Sequence, residues 1–207
     1  MTAAERDRIV NGYHQAAEKI AERYDAIDPT HHANPAFGCL PTDPSHVLDV
    51  GAGTGRVAAW LCAQGHRVTA IEPADGLRTF GMARRGGQPI RWLDGALPEL
   101  TPLGNGNNAF DAVIMIGVWH HVPTDMRASA IQRLGSLLVP GGRILASLRH
   151  GPTAPDRPGF PASADEMSDL AERQGIRCIY RAEAPSIQPG NKKRGVTWTW
   201  WVGETST

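Results

Sequence analysis

Three groups of residues in this chain are placed to do chemistry. Gly51, Gly53 and Gly55 alternate directly after the apolar run Val47-Leu48-Asp49-Val50. Glycines in that pattern let the backbone take positive φ and come close to a ligand, and a helix beginning near Thr54 offers free N–H groups to it. That is the chemistry of a loop holding a nucleotide cofactor. Glu72 ends a second apolar run about 20 residues beyond Gly51, where a carboxylate can accept two hydroxyl hydrogens from a ribose. His120 and His121 close a further apolar run and could take a proton from a nucleophile near neutral pH, or bind the molecule that carries it.

Such groups need a frame that brings them together. Residues 47–50 read as a buried strand, followed by an amphipathic helix carrying Val57, Trp60 and Leu61 and closed by Gly65, then by a strand at 67–71. Residues 89–93 form a short strand ending in Asp94-Gly95, and residues 110–117 another that runs into Val118, Trp119, His120 and His121. The glycine loop alone leaves the cofactor open. Read from Gly51, its sixth position is Arg56, which cannot supply the close helix-to-strand contact of a dinucleotide fold. Read from Gly53, the sixth position is Ala58 and a G-x-G-x-x-A match survives.

Taken together, residues 47 to about 148 resemble the class I S-adenosylmethionine-dependent methyltransferases. The resemblance implies that Asp49, Gly51, Gly53 and Gly55 hold the methionyl part of the cofactor, that Glu72 takes the ribose hydroxyls and that Asp94 contacts the adenine amino group. Gly95 and Gly117 complete the implied cofactor site. The F-D-x-V strand from Phe110 would deliver its carboxyl end to the methyl group, and residues 137–145 match the family's helix, L-x-P-G-G turn and fifth strand. The implied fold is α/β, a Rossmann-like, doubly wound, mostly parallel seven-stranded sheet with an antiparallel C-terminal hairpin and an N-terminal helical lid. The implied cofactor is S-adenosyl-L-methionine and its product S-adenosyl-L-homocysteine. An NAD(P)-binding oxidoreductase shares the loop but leaves Asp94 and the turn at 140–142 unexplained. A non-catalytic cofactor-binding subunit is a further alternative, against which the intact set of Asp49, the three glycines, Glu72 and Asp94 argues.

The remaining sequence bounds the partners. With 207 residues, 41% of them hydrophobic, the chain can bury the core of one domain. Its parts are a helix and loop cap at 1–46, a cofactor-binding half at 47–150, and an insertion, helix and hairpin at 151–207. The 21 basic residues balance the 21 acidic ones, so the total charge gives no reason to expect steering toward nucleic acid or anionic lipid. No apolar run is long enough to span a bilayer, and residues 1–8 are too charged for a signal peptide. Cys39, Cys62 and Cys178 are scattered without a C-x-x-C, so reduced thiols in a cytoplasm are expected. His31-His32 lack partners at metal-binding spacing, and no metal is expected.

Ile9, Tyr13, Ala17, Ile20, Tyr24 and Ile27 recur at spacings of three and four, which predicts one amphipathic helix packed on the sheet. In a lid role its Tyr13 and Tyr24 would reach the acceptor. Thr124 is read as the N-cap of a helix burying Met126, Ala130, Ile131, Leu134 and Leu138, and Ser163 with Glu166 as a capping box. The Pro- and Gly-rich residues 149–161, with Arg149 at their start, form a candidate acceptor wall. Residues 176–183 and 196–202 read as strands, with Val196, Trp198, Trp200 and Val202 on one face and expected in the core, and Lys192-Lys193-Arg194 in a solvated turn between them. Trp119 is placed to lie against the adenine or the sulfonium. No N-P-P-Y or D-P-P-Y tetrapeptide follows the fourth strand and no Pro-Cys nucleophile is present, so DNA is not expected as an acceptor. A small molecule is the expected acceptor, with RNA or protein as alternatives. No motif specifies an oligomeric state.

Overall fold

The computed structural model describes residues 3–27, 34–106 and 109–207. His31 and His32 lie outside the described residues. Seven strands, β1 (His46–Val50), β2 (Arg67–Ile71), β3 (Ile90–Leu93), β4 (Phe110–Ile116), β5 (Leu138–His150), β6 (Ile176–Pro185) and β7 (Thr197–Thr205), form one sheet in the order β3-β2-β1-β4-β5-β7-β6. The first five run parallel, and β7 is antiparallel to both β5 and β6. The Rossmann-like sheet with its antiparallel C-terminal pair is thus as expected. The strand order reverses between β1 and β4, the crevice where doubly wound folds bind ligands.

Both faces of the sheet are covered, which is why its central strands are apolar throughout. Leu48, Val50, Val113, Met115 and Ile144 pack toward α5 (Arg127–Leu137) and α6 (Ala164–Glu172), with Ile131, Leu134 and Met167 opposite. Val47, Val68, Ala112, Ile114 and Leu145 face the other way, against Val57 and Leu61 of α3 (Arg56–Ala63). Ser163 caps α6 by accepting from the Glu166 N–H at 3.1 Å. The reciprocal half of the capping box is replaced, since the Glu166 carboxylate binds the buried Arg127 guanidinium at 2.5 Å.

Three expectations are corrected. The N-terminal stripe belongs to two helices, α1 (Ala3–Gln15) and α2 (Ala17–Asp25), broken at Ala16. They pack on α4 (Asp75–Arg84) rather than on the sheet, with Ala17 and Ile20 against Ala74 and Leu77. Gly76 makes that approach possible, because a Cβ there would lie 2.8 Å from that of Ala17. Thr124 caps no helix. Residues Thr124–Met126 form a 3-10 turn whose Met126 N–H bonds the Pro123 carbonyl at 2.9 Å, and α5 begins only at Arg127. Finally, the basic run follows Pro189 in a short helix, α7 (Pro189–Lys193), rather than in a turn. Among the described residues no helix is long and apolar enough to cross a membrane, and no group of three or more His, Cys, Asp and Glu is gathered as a metal would require.

Candidate active site

A cavity of about 580 Å³ opens at the carboxyl ends of the parallel strands. Its floor is the loop after β1. Gly51, Gly53 and Gly55 have φ of 66°, 58° and 69°, and the Gly51 N–H bonds the Ile71 carbonyl at 2.8 Å, tying the loop to the end of β2. Only glycine serves at Gly51: a Cβ would stand 2.4 Å from a methyl of Val118.

Two buried carboxylates face this cavity. Glu72, 5% exposed, accepts from the Gly53 N–H and the Ala74 N–H, each at 2.8 Å and each on a different oxygen. Burial pushes its acid up to about 7 against the opposing pull of those two bonds. Asp49, 3% exposed, is also raised to about 7, by burial and then by the charge of Glu72. Its Oδ2 has no hydrogen-bond partner. Asp49 lines the cavity, and its side chain keeps acceptor capacity that nothing in the chain uses.

At the far side of the cavity, His121 and Tyr13 meet. The Tyr13 hydroxyl lies 2.9 Å from His121 Nε2, and His121 Nδ1 lies 2.8 Å from the Pro158 carbonyl. A carbonyl only accepts, so Nδ1 carries the hydrogen and Nε2 of the neutral ring accepts from the phenol. Burial holds His121 down to about 4 and drives the Tyr13 phenol far above its usual range. The ring is therefore neutral, and the phenol protonated, across the physiological range.

Residues 48–146 match the family described as a methyltransferase domain. An uncharacterized methyltransferase of Mycobacterium tuberculosis is 31% identical over 183 residues, 85% of this chain and 67% of its own length. The chain belongs to the class I S-adenosylmethionine-dependent methyltransferases. Another uncharacterized methyltransferase, from Mycobacterium bovis, is 35% identical over 118 residues, 54% of this chain, and the match spans only 57% of that relative's length. Among solved structures, the Burkholderia thailandensis 1,6-didemethyltoxoflavin-N1-methyltransferase, with 1,6-didemethyltoxoflavin and S-adenosylhomocysteine bound, has the same fold. Its TM-score is 0.77 at 21% identity, covering 100% of this chain and 92% of that one. The cyclase SpnF shares the fold as well, with a TM-score of 0.68 at 14% identity over 86% of this chain and 80% of its own.

The residues singled out from sequence fall into three sets. Asp49, Gly51, Gly53, Glu72, Gly95, Gly117, Tyr13, Tyr24 and His121 all line the main cavity. Gly55 lies behind the loop, where a Cβ would meet the Trp92 ring at 2.6 Å. Asp94 is outside the lining: its carboxylate, 69% exposed, turns to the Arg78 guanidinium at 3.4 Å. Trp119 requires correction. It is fully buried in the core, with the Arg127 guanidinium 5.6 Å over its ring, and touches neither cavity. The 3-10 turn Trp119–His121 directs its side chain inward. His120 and Arg149 line a second, smaller chamber described below.

The sequence reading missed Trp198, Trp200 and Ser147. Val196 and Val202 of the expected core face are buried, and Trp200 packs on the core beside Phe37, but Trp198 and Trp200 also line the cavity, while Trp201 on the opposite face of β7 is the fully buried tryptophan of that strand. Ser147 accepts from the Gly117 N–H at 2.9 Å and so fixes the turn that ends β4. Alternation along β7 did signal a face in contact with something; its period is the same for a cavity wall as for a core.

Proposed function

We propose that the protein transfers a methyl group from S-adenosylmethionine to an oxygen or nitrogen atom of a small-molecule acceptor. The observation that carries this reading is the cavity that runs from Asp49 and Glu72 to the Tyr13–His121 pair under α1 and α2, within the size range of small-molecule sites. In it, Glu72 would take the ribose hydroxyls, Asp49 Oδ2 the methionyl ammonium, and the loop at 51–55 the methionyl backbone. Gly95 and Gly117 would stand beside the cofactor, and Asp94 would reach the adenine by turning from Arg78. When bound, the cofactor supplies a methyl carbon on a positively charged sulfur, open to in-line displacement.

The chain contributes alignment, exclusion of water and a path for a proton. As the acceptor's lone pair forms its bond to the methyl carbon, the nucleophile's own O–H or N–H becomes strongly acidic. It can donate to the Tyr13 oxygen while the Tyr13 proton passes to His121 Nε2. His121 is a weak base, and a weak base suffices for an acid generated by methylation. The N-terminal helices act as the lid of this site, and a cytoplasmic location with reduced thiols fits the unpaired Cys39, Cys62 and Cys178.

RNA or protein as acceptor is the second reading, since one fold serves many functions; the cyclase SpnF shares this one. The covering of the cavity by α1 and α2 favours the small molecule. Calorimetric titration with S-adenosylhomocysteine and with NAD tests the cofactor: saturable binding of the first and none of the second is expected. Mass spectrometry of a metabolite pool incubated with S-adenosylmethionine then tests the acceptor. Methylation confined to added RNA or protein would sink the small-molecule reading.

A further inference from the structure

A second chamber of about 100 Å³ adjoins the first and shares Tyr13, Gly117, His121 and Trp198 with it. It is lined by four arginines, Arg23, Arg149, Arg157 and Arg194, and by no acid. Arg157 is ion-paired with Asp156 at 3.0 Å. Arg149 and Arg194 have no carboxylate partner among the described residues. Their acceptors are neutral oxygens: Arg149 Nη2 donates to the Pro152 carbonyl at 2.7 Å, Arg194 Nε to the Gly190 carbonyl at 3.2 Å, and Asn191 Oδ1 accepts from both, from Arg149 Nη2 at 3.3 Å and Arg194 Nη2 at 2.8 Å.

Two like charges gathered on a neutral acceptor repel one another, and the half-buried position of Arg149 weakens the screening of that repulsion. The Nε of Arg149 is buried without a partner, and so is Nδ1 of His120, itself 5% exposed and lining the same chamber. Two guanidiniums, one with an unused Nε–H, and the unpartnered Nδ1 of His120 belong to residues of this chamber, with the Trp198 face 5.4 Å from the Arg149 guanidinium carbon. This is the donor set that an oxyanion requires, because guanidinium forks match its oxygens in pairs.

We propose that this chamber binds a carboxylate or phosphate group carried by the acceptor, which anchors it with its nucleophile beside Tyr13 and His121. The proposal rests on the methyl-transfer reading for the word acceptor, but the anion site can be tested without it. Inorganic phosphate, benzoate and neutral benzamide are titrated into the protein by calorimetry, with and without saturating S-adenosylhomocysteine. Phosphate and benzoate should bind saturably and compete with one another, and benzamide should not bind. Arg149→Met and Arg194→Met should each weaken phosphate at least tenfold while leaving S-adenosylhomocysteine affinity unchanged, which shows that the fold survives.

Asn191→Asp provides a readout that a merely structural asparagine would not. It places a counterion between the two arginines, so phosphate binding should be lost while the thermal midpoint rises. Wild-type phosphate affinity in the arginine variants, equal binding of benzamide and benzoate, or no saturable anion binding would each overturn the site. Failure of S-adenosylhomocysteine to bind the wild type would overturn the methyltransferase reading instead, with the phosphate titration in its absence still deciding the anion site.

Discussion

Each oxygen of Glu72 accepts one main-chain N–H and retains a second lone pair, so the carboxylate is fixed in orientation and still able to receive two ribose hydroxyls. Removing it leaves two buried N–H groups unpaired and, in the proposed binding mode, the ribose hydroxyls as well. Glu72→Ala is therefore expected to weaken S-adenosylhomocysteine binding by about 1 to 3 kcal/mol, measured by titration calorimetry. An unchanged dissociation constant in a folded variant would place the ribose elsewhere. At the other end of the cavity Tyr13 and His121 act as a pair. Tyr13→Phe and His121→Ala should both lower kcat with little change in cofactor affinity. Because burial holds His121 down to about 4, any acid limb of the wild-type rate that belongs to it should fall near 4 and vanish in His121→Ala. A wild-type limb near the ordinary histidine value of about 6.5 that persists in His121→Ala would exclude His121 as the group that sets it, and one that vanishes there would contradict the lowered value.

Elements were legible where one physical requirement dominates the sequence. The central parallel strands are largely apolar on both faces because both faces are covered, and the loop after β1 needs glycine at Gly51 because Val118 leaves no room for a Cβ. The N-terminal break at Ala16, the 3-10 entry to α5 and the inward turn of Trp119 were not legible, since each depends on which partner the segment meets after folding. Asp94 makes the same point at a strand end, where the choice between cavity and solvent is settled by Arg78. At α6 the local signal was half right, and the half it missed is testable. Ser163→Ala removes a cap and should cost about 1 kcal/mol. Glu166→Ala should cost more, about 3 kcal/mol, because it leaves the Arg127 guanidinium buried without its carboxylate. Chemical denaturation ranks the two, and a larger loss for Ser163→Ala would mean that the ion pair contributes little.

Across the whole molecule, four buried groups set the response to acid. His121 is neutral in the folded chain and protonated in the unfolded one between about 4 and 6.5, so its contribution to stability is present above 6.5 and lost as pH falls toward 4. His120, also lowered by burial, acts in the same sense. Asp49 and Glu72, raised to about 7, hold protons in the folded chain that the unfolded chain has released, so they favour folding as pH falls from 7 toward the ordinary carboxyl range. The two pairs offset, and a shallow dependence is expected for the unliganded protein. Glu72→Gln removes one acid from this balance. Its stability should drop by about 3 kcal/mol relative to wild type on going from pH 7 to 4.5, read from urea midpoints at the two values. Parallel behaviour of the two proteins would contradict the balance.

The position of β7 between β5 and β6 has a bearing on the order in which the site comes into being. While the chain is synthesised, β6 emerges before the strand that must join it to the sheet, and it has no neighbour to pair with until residues 197–205 enter the gap. Those same residues carry Trp198 and Trp200. The half built from β1 to β4 can close early, whereas the wall opposite it is inserted by a segment made after β6. A nascent chain could thus present the glycine loop and Glu72 while the far wall of the cavity still stood open, and β7 both completes the sheet and closes that wall.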